Sequence, residues 1–281
     1  MHTTSPWRAV SRVALVLGLF FTGCCFLDSW HAPFFFNFRY QWLKLILSFV
    51  IPAAVTVWNF LTERSLRFAG TACAVLMQVS LVLFFIDRYT VNLIARLDDS
   101  RIIYHFLYTL ISVFTLLAAG WICARCSKAC VDFALFYHRF SLGYLPLCAF
   151  LFILQFFLLR TFGNIFVTAN GVPFRGEIYC LWYYAKTGTL SFSTALHSAG
   201  NVLYFTSLSL ALCGTVRRRP VLWGTLVPVA LSVFVESFQL LTKSGDADVD
   251  DIILNTLGAV LGVLIFRLLL RPLLQKETRI C

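Results

Sequence analysis

The chain has 281 residues, 59% of them apolar and 13% charged, with 29 Phe and a net charge of +10; its mean hydropathy is +0.81. Soluble domains carry about 45–50% apolar and about 25% charged residues, so this composition excludes a water-soluble globular domain and makes the bilayer the solvent. The positive balance would suggest nucleic acid in a soluble protein, but in a membrane-spanning chain it marks loops that meet anionic lipid headgroups, and no nucleic-acid partner is expected.

Apolar runs bounded by charges fall at residues 9–27, 42–61, 68–86, 102–122, 142–159, 197–213, 221–241 and 251–270. Each approaches the roughly 20 helical residues that cross a hydrocarbon core of about 30 Å. They predict an all-α, polytopic integral membrane protein of about eight transmembrane helices. Connections 62–67 and 214–220 are short enough to make their flanking helices antiparallel hairpins, whereas residues 160–196 form a long outer loop. Placing both termini in the cytoplasm puts most of the 23 Lys and Arg residues on that side. The triplet Arg217, Arg218 and Arg219 is the sharpest element of this bias. The first run reads as a plain span and not a cleaved signal. Trp7, Trp42, Trp121, Tyr89 and Tyr104 sit near span ends, as an interfacial aromatic belt requires.

Along the chain, His105 in the fourth span suits an interhelical hydrogen bond. Cys123, Cys126 and Cys130 make a C-x-x-C-x-x-x-C stretch that would need a fourth ligand such as His138 to hold zinc. Ordinary apolar thiols are the favoured reading. Cys180 in the outer loop has Cys24 as its one evident partner. No Walker loop, Gly-x-Ser-x-Gly elbow or His-Glu-x-x-His helix is present, which removes the usual sequence support for ATP-driven transport and serine hydrolysis.

The last third concentrates polar residues in apolar surroundings. His197 and Asn201, Glu236 and Gln239, and Asp251 and Asn255 are spaced three or four apart, so each pair shares a helix face. The orientation gathers them at the extracytoplasmic leaflet. Glu236, inside a span, costs a few kcal/mol unless it is paired, protonated or facing a wet cavity, and is the candidate catalytic residue of any enzyme reading. Asp246, Asp248, Asp250 and Asp251 add carboxylates. Asp250 and Asp251 also suit a helix N-terminus. Asp248, Asp250 and Asp251 are candidate ligands for a divalent cation, calcium or magnesium. Gly258 and Gly262 form a G-x-x-x-G pair for close helix packing.

Together these residues resemble the VanZ-like membrane protein family. The resemblance rests on Asn201-Val-Leu-Tyr-Phe205, Glu236-Ser-Phe-Gln239 and Asp248-Val-Asp-Asp-Ile-Ile-Leu-Asn255-Thr-Leu-Gly258 with Gly262. Asn170-Gly-Val-Pro-Phe174 precedes them, and the match covers about residues 142–281. Departures are Ser207-Leu-Ser209 in place of the family's Pro-Leu-Gly, and Gly245 where members carry Arg, with Lys243 as a nearby positive charge. The resemblance implies a bacterial cytoplasmic membrane protein connected with resistance to teicoplanin, a glycopeptide that binds cell-wall precursors outside the membrane. It divides the chain into an N-terminal bundle of about four spans (1–141), without an assigned role, and a VanZ-like domain of about four (142–281).

The leading reading is a non-hydrolytic protein that meets membrane lipids and engages a polar headgroup, such as a lipid-linked cell-wall precursor, at the outer leaflet. Asn201, Glu236, Gln239, Asp248, Asp250, Asp251 and Asn255 form its expected ligand-binding site. Loop 160–196 covers the site, and Arg160, Arg175 and Lys186 are available to phosphate or carboxylate. The alternatives are a membrane-embedded enzyme with Glu236 as general base acting on a lipid-linked substrate, and an ion-coupled transporter using Glu236 and His105.

Overall fold

A computed structural model describes residues 6–28, 41–90, 99–127, 132–153, 169–188, 192–244 and 247–280. Nearly all of them are helical: α1 (Pro6–Asp28), α2 (Gln41–Glu63), α3 (Arg67–Thr90), α4 (Asp99–Cys126), α5 (Phe133–Ile153), α6 (Arg175–Thr187), α7 (Phe192–Thr215), α8 (Pro220–Thr242), α9 (Val249–Ile265) and α10 (Arg271–Ile280). A π turn, Phe266–Leu270, joins the last two. Two-residue strands β1 (Ala169–Asn170) and β2 (Ala247–Asp248) pair in parallel, Ala169 with Ala247 and Asn170 with Asp248.

Among the described residues, Pro220–Thr242 and Val249–Glu277 are long and apolar enough to cross a membrane. Their outward faces are rows of exposed apolar side chains, Leu226, Val233, Phe234 and Leu240 on one and Leu257, Val260, Leu264 and Leu268 on the other. Contiguous apolar surface of that kind is stable in hydrocarbon, not in water.

The chain divides into two compact units, Met1–Leu151 with Leu268–Cys281, and Phe152–Arg267. In the first, α1 packs on α2 and α3, and α2 on α4. The 64–66 turn leaves α3 in more extensive contact with α1 than with α2, so the expected α2–α3 hairpin is a chain reversal with little packing of its own. One end of this unit is laced by charges. Arg12 pairs with both oxygens of Glu63, and Arg67 pairs with Asp132 at 2.9 Å. The Ala134 N–H donates to Glu277 Oε2 at 2.7 Å, and Lys276 Nζ to the Ser127 carbonyl at 3.4 Å. At the π turn the Leu269 carbonyl accepts the Trp121 indole N–H at 3.1 Å.

Helix α5 begins at Phe133, well before the apolar run that starts at residue 142. The reason is an aromatic face: Phe133, Phe136, Tyr137, Phe140 and Tyr144 are all buried, with neighbouring ring centroids 6.0–6.4 Å apart. A single Arg139 on the other side does not end a helix whose buried face is continuous. At the crossing with α3, a Cβ on Gly143 would lie 2.5 Å from the Ala74 Cα, so only glycine permits this approach.

In the second unit α7, α8 and α9 pack mutually. Helix α9 runs alongside α7 so closely that a Cβ on Gly258 would lie 2.4 Å from the Val202 carbonyl oxygen, and one on Gly262 2.6 Å from that of Thr206. Thr206 Oγ1 bonds to the Gly258 carbonyl at 3.0 Å, and Ser209 Oγ bonds to those of Gly224 and Ala259 at 2.7 and 3.0 Å. Ser209 thus ties all three helices.

The loop expected at 160–196 contains a helix, α6. It starts right after Pro173 and Phe174 and stops at Gly188, whose φ of 68° is the left-handed cap glycine tolerates and whose N–H donates to the Tyr184 carbonyl. A stretch of 13 residues bounded by Pro and Gly is long enough to be helical, but too short to show as a span.

Candidate functional site at the α8–α9 turn

Helix α8 presents one buried face, Gly224, Pro228, Ser232, Val235, Glu236 and Gln239. Helix α9 turns Asp250, Asn255, Gly258, Ala259, Gly262 and Val263 inward. The chain leaves α8 through Lys243, in the left-handed region with φ 51°, and returns through β2. The two helices are therefore antiparallel, and their polar residues meet at one end.

The contacts run from Glu236 outward. Its Oε2 accepts the backbone N–H of Asp248 at 2.9 Å. Asp248 caps α9, its Oδ1 accepting the Asp250 N–H at 2.9 Å, and the same oxygen takes the Asn170 Nδ2 at 3.0 Å. Asn170 Oδ1 in turn accepts the Val172 N–H at 3.2 Å. Buried Asp250 accepts the Phe174 N–H. That bond helps hold Phe174 at φ 58°, a conformation costing a non-glycine residue about 1–2 kcal/mol. Asn201 Nδ2 donates to Asp251 Oδ1 at 2.6 Å. Deeper in, Asn255 Nδ2 donates to Ser232 Oγ at 2.9 Å.

All seven residues expected from the sequence to bind a ligand thus lie at the same end of α7, α8 and α9. Glu236 is 5% exposed and Gln239 2%. Two buried amide atoms, Gln239 Nε2 and Asn255 Oδ1, have no hydrogen-bond partner. Leaving each such bond unmade costs about 1–3 kcal/mol; Thr56 Oγ1, Asn59 Oδ1 and Ser141 Oγ of the first unit are in the same condition. Asp248 and Asp250 accept hydrogen bonds from N–H groups. Among the described residues no group of three or more His, Cys, Asp or Glu is placed to hold a metal ion.

The residue patterns do not single out Ser232, which lies one turn before Glu236 on the same face and is fully buried; its spacing from Glu236 is the signal that marks it. They also leave Asn170 out of the site, although Asn170 opens the stretch Asn170–Phe174 that carries part of the family resemblance. Cys123 and Cys126 are free thiols, the first buried and the second exposed. Cys130, Arg160, Gly245 and Asp246 lie outside the described residues, as do the side chains of Cys24, His105, Cys180 and His197.

The VanZ/LLP1 family model matches residues 14–270. The chain belongs to that family. The match extends well before residue 142, where the stretch covered by the motifs begins, and so takes in N-terminal helices as well. No curated protein and no solved structure matches the chain.

Proposed function

We propose that this VanZ/LLP1 protein is a multi-pass protein of the bacterial cytoplasmic membrane that engages a polar headgroup at the extracytoplasmic leaflet. Eight spans cross the bilayer with both termini inside. The ion pairs and hydrogen bonds that join Arg12, Glu63, Arg67, Asp132, Lys276 and Glu277 support this arrangement, because they bring the start of α1, two alternate connections and α10 to one end of the first unit. Residues 142–281 carry the site, and residues 1–141 form an accompanying bundle.

The observation that carries the binding reading is the pair of unpartnered buried amide atoms, Gln239 Nε2 and Asn255 Oδ1, beside a carboxylate cluster. A donor and an acceptor held ready among acceptor carboxylates match a hydroxyl- or amide-rich headgroup, and a lipid-linked cell-wall precursor has that chemistry. Glu236 has one oxygen committed to the Asp248 N–H, which favours a holding role over that of a base. Occupation of the precursor's polar part would lower the effect of teicoplanin.

The test is the teicoplanin inhibitory concentration of a sensitive Gram-positive host expressing, at matched levels, the wild type, Glu236→Gln, Glu236→Ala or Asp251→Asn. Protection by the wild type, partial protection by Glu236→Gln and little by the other two are expected. Full protection in all variants would remove the site from function, and complete loss in Glu236→Gln would favour an enzyme or a proton-coupled carrier.

A further inference from the structure

Helix α6 carries four large side chains on one side, Ile178, Tyr179, Trp182 and Tyr183, each between 43% and 61% exposed. Their spacing of one and four residues gathers them into a single face at about 100° per residue. Arg175 and Lys186 are eleven positions apart, which is about three turns, so they bracket the same face at its two ends. Tyr179 packs on Trp182 and Tyr183 with centroids 5.8 and 6.5 Å apart, and Lys186 Nζ lies 4.1 Å from the Trp182 ring centroid.

We propose that α6 lies flat in the headgroup region of the bilayer, on the face where α8 ends and α9 begins, with this aromatic face sunk toward the acyl chains. The inference rests on the reading of α8 and α9 as membrane spans.

Three observations select lipid as the occupant. Position comes first: β1 pairs with β2 between α8 and α9, and the Phe174 N–H at the start of α6 is bonded to Asp250 in the first turn of α9. The beginning of α6 is therefore fixed at the level where the two apolar helices end. Length comes second, because 13 residues make a helix of about 20 Å, too short for a core of about 30 Å. Chemistry comes third. Trp and Tyr have amphipathic rings that settle at headgroup depth, and flanking Arg and Lys meet lipid phosphates while their stems cover apolar surface. A water-facing helix would gain nothing from four such exposed side chains on one face, and a spanning one would need more than 13 residues.

The full-length protein in vesicles of a brominated phosphatidylcholine and phosphatidylglycerol mixture provides the test, with bromine placed near the headgroup in one set and deep in the acyl chains in another. The Trp182 signal is the difference in fluorescence between the wild type and Trp182→Phe. Phe234→Trp, midway along the exposed face of α8, reports whether that helix is embedded. The expected result is that the Trp182 signal is lost most to shallow bromine, while the added Phe234→Trp signal is lost most to deep bromine. A Trp182 signal untouched by either lipid, with Phe234→Trp quenched, overturns the proposal alone and points to a protein partner or a second copy on this face. Deep quenching of Trp182 overturns it in favour of an inserted helix. Absence of quenching for Phe234→Trp overturns the membrane reading on which the proposal stands.

Discussion

Glu236 and Asp248 divide the work of the α8–α9 turn, and substitutions separate their parts. Asp248→Ala removes the cap of α9 together with the bond from Asn170; loss of such a cap costs about 0.5–2 kcal/mol, read as a lower thermal midpoint in detergent. Glu236→Gln keeps an oxygen to accept the Asp248 N–H, so that bond survives the substitution. The same assay should therefore show a smaller drop for Glu236→Gln than for Asp248→Ala. On the first unit, burial pushes the Asp132 carboxyl up, but hydrogen bonds from Arg67 and Ser65 and the Arg67 charge outweigh it and hold the carboxyl below its usual range. A carboxylate held down in this way stabilises the fold above its unfolded value, near pH 4, and the contribution disappears as pH falls through the folded value. The thermal midpoint of the wild type should decline below about pH 4 more steeply than that of Asp132→Asn.

Among elements, the α7–α9 contact leaves little room for a side chain. Gly258→Ala forces a methyl against the Val202 carbonyl, which belongs to backbone and has little room to move. Overpacking of that kind costs about 1–3 kcal/mol. The loss should exceed that from Gly171→Ala, where the added methyl meets nothing within 4 Å, and comparison of the two midpoints in detergent checks it. The G-x-x-x-G spacing makes this contact legible in the amino-acid sequence, as do the three- and four-residue spacings that put Glu236 with Gln239 and Asp251 with Asn255. What spacing does not supply is which atoms pair across helices. The Asn255–Ser232 bond and the three-helix role of Ser209 follow from helix rotation and depth, which a single chain of letters does not encode. Helix α6 escapes for another reason: its aromatic face is short and bounded by charges at both ends, so neither a span pattern nor a soluble amphipathic stripe marks it.

At the scale of the whole molecule, charge and hydropathy carry the architecture: the eight apolar runs fall on helices wherever their residues are described. They do not reveal that residues 268–281 belong to the first unit, since that grouping rests on long-range contacts. A reporter fused after Thr215 should lie in the cytoplasm, and one fused at Gly188 outside; reversal of this pair would place the carboxylate cluster on the inner leaflet. The pairing of β1 with β2 also imposes a schedule. Asn170 and Asp248 are 78 positions apart, and a ribosome adding about 5–20 residues per second needs roughly 4–16 s to make the intervening chain. During that interval Asn170 and Phe174 have no mates. The polar cluster is consequently among the last parts of the protein to be assembled, and translation that stops short of Asp248 leaves the earlier helices without it.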